Sequence, residues 1–388
     1  MAPDLLLILS FLATIPGVGN APGAPTLPPV AGVVRVLAPD GNGGWYVGGD
    51  FTTIGGVQRS HLAHVMSDQS VAPWHPEVDG PVLSIAISGK RVLIGGEFSH
   101  VGAQERRHLA AVDTRTGLAT RWDPGVDGPV QALAPGKHLV YIGGAFAKVA
   151  GVERGNLAAV DLESGFATPW DPKADAPVFA LAADSATVYA GGSFTRIGDV
   201  ARGRIAALDP ETGVATPWDP EADGAVTAIA TATAAIYVGG GFSRISGLLR
   251  RYLAALDPVT GEARSWDPAP NAPVHALALA RDRVYAGGTF TSIGAVERSG
   301  IAALDRTSGL AEDWDPDLDN AVLAIAVDRH QVFAGGAFRQ AGHLGRSRMA
   351  ALDARTALST SWDPDISGKA ALAPLPAPRK VLARIDRR

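Results

Sequence analysis

The sequence predicts an all-β fold, a seven-bladed β-propeller of four-stranded antiparallel blades, about 48 residues per blade. Three recurrences predict it. Trp74, Trp122, Trp170, Trp218, Trp266, Trp314 and Trp362 stand 48 residues apart. Gly-Gly pairs recur from Gly48-Gly49 to Gly335-Gly336, each followed two residues later by Phe, from Phe51 to Phe338. One Arg closes the loop after each Phe: Arg59, Arg106, Arg154, Arg202, Arg250, Arg298 and Arg346. A repeat of this length is one supersecondary unit that buries its apolar face only against its neighbours.

Within the unit 178–223 the elements follow in order. Val178–Ala182 is apolar on both faces, as a strand buried from both sides must be. Val188–Gly191 carries Tyr189 and ends in glycine. A loop leads through Arg202 to Ile205–Leu208, whose Ala206 and Ala207 allow close packing. Asp209-Pro210-Glu211-Thr212-Gly213 places Pro and Gly where a β-turn wants them. The fourth strand, Val214–Trp218, contains Pro217, which suits an edge. No segment carries a capped 3.6-residue period, so no helix is expected.

The repeat spans 33–366 and overrides the two or three domains that 388 residues would suggest. Residues 1–21, with the apolar run 5–15, read as a signal peptide, 22–32 as a Pro/Ala-rich linker and 367–388 as a basic tail. The localisation implied is secreted, periplasmic or cell surface. No stretch is long and apolar enough for a transmembrane helix. The chain has no cysteine, which excludes disulfides and thiolate metal sites, and its net charge of −5 argues against a nucleic-acid partner.

The pattern Y-V-G-G-x-F, then R-x-x-L-A-A-L-D-x-x-T-G-x-A-x-x-W-D-P, resembles the delta-60 repeat of bacterial β-propellers of uncharacterised function. It is also similar to the fungal cortical polarity-marker propeller and, more distantly, to kelch repeats. The resemblance implies an exported or surface-exposed propeller with no general enzymatic activity. Ala207, Asp209, Gly213 and Trp218 further resemble the tryptophan-docking motif of PQQ-type propellers, although the Gly-to-Trp spacing is one residue longer here. No cofactor residue of that family has a counterpart in this chain.

Residues repeated in every unit are expected to build the fold. The tryptophans should pack unit on unit. The arginines should form buried ion pairs with one of two repeated Asp series, the one containing Asp209 or the one containing Asp219. In the first unit those positions hold Met66 and His75, so Arg59 would need Asp79 or a neighbouring unit.

Specificity should come from positions that vary. One such position reads His61, His108, Asn156, Arg204, Tyr252, Gly300 and Arg348, rich in groups suited to a recognition rim. Of these, His61, His108, Arg204, Tyr252 and Arg348 are the candidate ligand- or partner-binding residues. Asp50 and Glu97, which follow the first two Gly-Gly pairs, form the one carboxylate pair that acid–base catalysis could use. His61, His64, His100 and His108 gather in the first two units, but histidines of this kind are more often surface or turn residues than metal ligands. No cofactor is expected; the W-D-P-x-x-D-G loops leave calcium as an alternative.

These features predict a non-catalytic, exported, monomeric propeller that binds a protein or glycan through its loop face. The alternatives are a carbohydrate-active hydrolase or lyase with acidic residues at the central funnel, and a structural scaffold of the envelope or surface.

Overall fold

The computed structural model describes residues 32–328 and 330–362. The expected leader 1–21, the linker to residue 31, the last residues of the repeat and the tail 367–388 lie outside them. The described residues form strands and turns without a helix, so none holds a helix long and apolar enough to cross a membrane.

The unit containing Trp218 shows how the chain builds each repeat. An inner strand, Val178–Ala183, pairs antiparallel with a middle strand, Val188–Gly192, which pairs with a third, Ile205–Leu208. Seven such three-stranded sheets follow one another among the described residues.

The expected fourth strand is reduced to a single antiparallel bridge, Leu208 to Ala215. Two features of the sequence shorten it. Pro217 has no N–H for the ladder, and the carbonyl of Thr216 accepts from Arg202 Nη2 at 2.6 Å instead of from a strand. The segment read as a loop holds instead a two-stranded hairpin, Arg196–Ile197 with Val200–Ala201. The sheets are therefore three-stranded with an accessory hairpin, not four-stranded.

Every inner strand carries a β-bulge near its start, directly after a valine. In the fourth unit Val178 faces Gly192 and Ala180 faces Gly191, leaving Phe179 as the extra residue. The Gly-Gly pair serves this geometry. A Cβ on Gly192 would lie 2.3 Å from the carbonyl oxygen of Pro177, and one on Gly191 would lie 2.6 Å from Cγ1 of Val226 in the next unit. The first glycine lets the units approach and the second admits the bulge.

Each inner strand touches the inner strands of the units before and after it, and the strand Val322–Val327 of the last unit touches Val33–Pro39 of the first. A Cβ on Gly335 would lie 2.4 Å from Val34 Cγ1 across that junction. The core accordingly consists of clusters between successive units, one of which joins Val34, Trp45, Phe51 and Phe333.

The tryptophans complete these joints. Trp218 is 5% exposed, packs edge-on to Tyr189 at 5.2 Å, and donates its Nε1–H to the carbonyl of Asp257 at 2.9 Å. Asp257 opens the turn of the next unit, 39 residues on, and the same bond recurs from Trp74 to Trp314. Trp362 of the last unit donates to Gln69 of the first at 3.0 Å.

Candidate functional site

The repeated charged residues are consumed by the fold. Arg202 is 9% exposed, and its guanidinium donates to the carbonyls of Ala201 at 2.7 Å and Thr216 at 2.6 Å. Its carboxylate contact, to Asp219 Oδ2 at 3.2 Å, is the longest of the three. In the third unit the corresponding Arg154–Asp171 contact stretches to 3.9 Å. Arg59 makes the same two carbonyl bonds, to Gln58 and Ala72, where no aspartate follows the tryptophan. The expected buried ion pair is therefore a backbone clamp with a half-exposed carboxylate at its edge. Asp79 is not the partner of Arg59.

The two Asp series have separate duties. Asp209 Oδ1 accepts from the N–H groups of Glu211 and Thr212 and from the Thr212 hydroxyl, closing the turn on which Trp170 docks. Those bonds hold its carboxyl below the ordinary range. Asp79, the second acid of its W-H-P-x-x-D-G loop, accepts from the N–H groups of Ser99 and His100, both at 2.8 Å. Burial works against its charge, but these bonds outweigh burial and its carboxyl also lies below the ordinary range. In the sixth unit Asn271 makes the same pair of bonds, so the position needs an acceptor rather than a charge. Among the described residues no three His, Asp or Glu side chains converge as a metal-holding group. His64 pairs with Asp40 at 2.9 Å, and His100 pairs with Asp79 at 3.1 Å.

The candidate recognition residues share one backbone position, just before the third strand of each unit. His61, His108, Asn156, Arg204, Tyr252, Gly300 and Arg348 all have φ between 61° and 73°. Two hydrogen bonds fix that left-handed turn. In the fourth unit Arg204 N–H donates to the Phe194 carbonyl at 3.0 Å, and the Arg204 carbonyl accepts from Gly192 N–H at 2.9 Å.

The side chains at this position are half-buried or buried, and several hydrogen-bond to backbone. Asn156 Nδ2 donates to Ala174 O at 2.9 Å and Arg204 Nη1 to Ala222 O at 3.4 Å. His108 Nδ1 lies 3.1 Å from Gly96 O. Tyr252 packs on the core between the fifth and sixth units, and Arg348 is 4% exposed. Asn156 and Gly300 were the sequence signal for a left-handed turn.

The bulged residues of the inner strands form a second variable series, which sequence reasoning missed. They are Arg35, Leu83, Gln131, Phe179, Thr227, His275 and Leu323. Thr227 donates to the Val274 carbonyl of the next inner strand at 3.0 Å. Gln131 and His275 are 5% and 3% exposed, and burial pushes the His275 imidazole down to about 4. Burial also lowers the Arg35 guanidinium, while the carboxylates of Asp50 and Glu97 pull it the other way. Asp50 is 55% exposed at its side chain, and its Oδ1 lies 3.7 Å from His61 Nδ1. Asp50 and Glu97 stand where their middle strands end, at the loop face, with His61 beside Asp50 and Arg35 in electrostatic reach of both carboxylates. No other unit has charges at the bulge and after Gly-Gly together.

At the opposite end, the ends of the inner strands and the turns that follow them border a cavity of about 1150 Å³. Trp45, Tyr285, Ala278 and Ile325 line it, with Arg281, Arg306 and Arg355 among its charged residues.

No family model and no curated protein matches this chain. Solved structures do. The computationally designed protein Ika8 aligns over 84% of this chain and 85% of its own, at 16% identity and a TM-score of 0.54. One chain of the Mitotic Checkpoint Complex aligns over 84% of this chain and 96% of its own, at 14% identity and a TM-score of 0.57. The extracellular domain of the putative one component system BT4673 from B. thetaiotaomicron aligns over 86% of this chain but only 39% of its own, at 14% identity and a TM-score of 0.53. At such identities the likeness concerns the fold alone. The chain is an all-β protein of propeller-like fold.

Proposed function

We propose that this chain is a closed, seven-bladed propeller of the delta-60-repeat kind, exported, monomeric and non-catalytic, which binds a protein or glycan through its loop face. Closure is supported by the packing of Val34 on Gly335 and by the Trp362 bond to Gln69. Export rests on the character of residues 1–21 in the sequence.

One observation carries the functional reading. The repeated Trp, Arg and Asp side chains are spent on backbone carbonyls and N–H groups, whereas Arg35, Asp50 and Glu97 occur once, with Arg35 in electrostatic reach of both carboxylates at the loop face. A charged cluster confined to two of the units gives a pseudo-symmetric ring a polar, addressable edge, and such groups set partner choice. Asp50 and Glu97 are exposed, unlike a catalytic acid held in a desolvating pocket.

The test is a glycan array and a pull-down with the mature protein, repeated with the Asp50→Ala/Glu97→Ala double variant. Loss of at least about tenfold in affinity for the partner found, with an unchanged melting temperature, supports the reading. Full retention of binding by the double variant overturns it.

A further inference from the structure

Arg35 stands apart from the other half-buried arginines. Arg91, Arg154, Arg204, Arg250, Arg283 and Arg306 each donate to a backbone carbonyl. Arg35 makes no hydrogen bond and no ion pair with any described residue. Its Nε is sealed off from solvent, but Nη1 and Nη2 are neither sealed off nor bonded. The free end of the guanidinium is therefore a fork of donors without an acceptor.

The backbone sets where that fork can reach. Arg35 is the bulged residue between Val34 and Val36, and the pairing of Val33 with Asp50 puts it one strand from that carboxylate. The equivalent Thr227 reaches the inner strand of the next unit, at Val274 O. The same direction takes Arg35 towards the second unit, whose Glu97 acts on it together with Asp50. Burial outweighs both carboxylates and holds the guanidinium below its ordinary range. Leu83 and Leu323 occupy this position in other units, so the fold does not require a cation there. A cation kept half-desolvated without a bonded partner is a cost that a leucine avoids.

The charges around it describe what would complete it. A free guanidinium fork matches a carboxylate through two parallel hydrogen bonds. Asp50 and Glu97 are both exposed. They repel a dianion such as phosphate and attract cations beside the bound carboxylate. A protein segment with an acidic side chain flanked by basic ones offers both charges, and a neutral glycan offers neither.

We infer that Arg35 anchors a protein-binding surface, taking the carboxylate of a partner's Asp or Glu while Asp50 and Glu97 pair with basic side chains next to it. The inference rests on the loop-face reading above and narrows it from protein or glycan to a protein of that charge pattern.

The experiment is titration calorimetry of the whole chain in low salt with two peptides, acetylated and amidated Lys-Glu-Lys and Lys-Gly-Glu-Gly-Lys, each to about 10 mM. At least one is expected to bind. Its counterpart with Gln in place of Glu should bind at least about tenfold more weakly. Arg35→Leu, the residue type of Leu83, should bring the acidic peptide down to the level of that counterpart. Its melting temperature should stay equal or rise, because no bond within the fold is lost. Binding of neither acidic peptide, a Gln counterpart that binds equally well, undiminished binding by Arg35→Leu, or a melting temperature lowered by more than about 5 °C would each overturn the inference. Asp50→Ala/Glu97→Ala separates it from the reading beneath it. Undiminished peptide binding by that variant overturns both, whereas failure at Arg35 alone leaves the loop-face cluster standing.

Discussion

The repeated arginine offers a direct test of what holds each unit together. In Arg202→Ala the carbonyls of Ala201 and Thr216 lose donors that now stand at 2.7 and 2.6 Å. Both lie beside a side chain that is 9% exposed, so water replaces the guanidinium poorly. Each stranded acceptor costs about 1–3 kcal/mol, which puts the variant about 2–4 kcal/mol below the parent. Asp219→Asn removes only a charge whose contact is 3.2 Å long and whose side chain is 26% exposed. Its Oδ1 is already buried without a partner, so little is lost, and the cost should stay within about 1 kcal/mol. At roughly 2 °C per kcal/mol for a chain of this size, thermal unfolding separates the two variants readily. The double variant should be nearly as stable as Arg202→Ala alone. If Asp219→Asn costs as much as Arg202→Ala, or if the double-mutant cycle gives a coupling above about 2 kcal/mol, the ion pair is the true joint and the backbone clamp is secondary.

Two further outcomes are expected. Gly335→Ala should destabilise by about 1–3 kcal/mol, because its Cβ would meet Val34 Cγ1 at 2.4 Å, while Gly241→Ala, whose Cβ meets nothing within 4 Å, should be neutral; equal melting temperatures would contradict the junction between last and first units. His275 should make the fold acid-sensitive: its folded value of about 4 lies below the unfolded 6.5, so the unfolded chain takes the proton first and stability falls as pH drops through that window, by about 3 kcal/mol in all. His275→Thr, the residue type of Thr227, should flatten the melting profile between those values, whereas the capping aspartates, also lowered, lose their contribution only below 3.8 as they protonate.

The unit and its three main strands were legible because their causes are local and repeated. Alternating turn residues, a Gly-Gly pair and an apolar run say the same thing seven times. The fourth strand was misjudged because its fate depends on a distant group. Thr216 could have offered its carbonyl to a neighbouring strand, but Arg202 takes it from 14 residues away. The hairpin Arg196–Ile197 with Val200–Ala201 left a fainter trace, a two-residue turn containing glycine between β-branched residues. Such a turn is easily read as a plain loop when only two residues flank it on each side.

The candidate sites were harder to read for a related reason. Variation at His61, His108, Arg204, Tyr252 and Arg348 suggested recognition, yet the backbone conformation common to all of them is what defines the position. A left-handed turn held by two backbone bonds tolerates many side chains, so variety there reflects tolerance as well as any selection for binding. Variation becomes informative where it opposes a physical demand. Arg35 and His275 occupy the bulges of their inner strands, where Leu83 and Leu323 show that apolar residues fit. Trp45 stands where its equivalents are Val and Ile, and it keeps an unpaired buried N–H. Each departs from the repeat at a cost in desolvation, and a repeat that carries such costs in single units must gain something there that the other units do not need. That argument leads to the loop-face cluster and away from the residues that recur seven times.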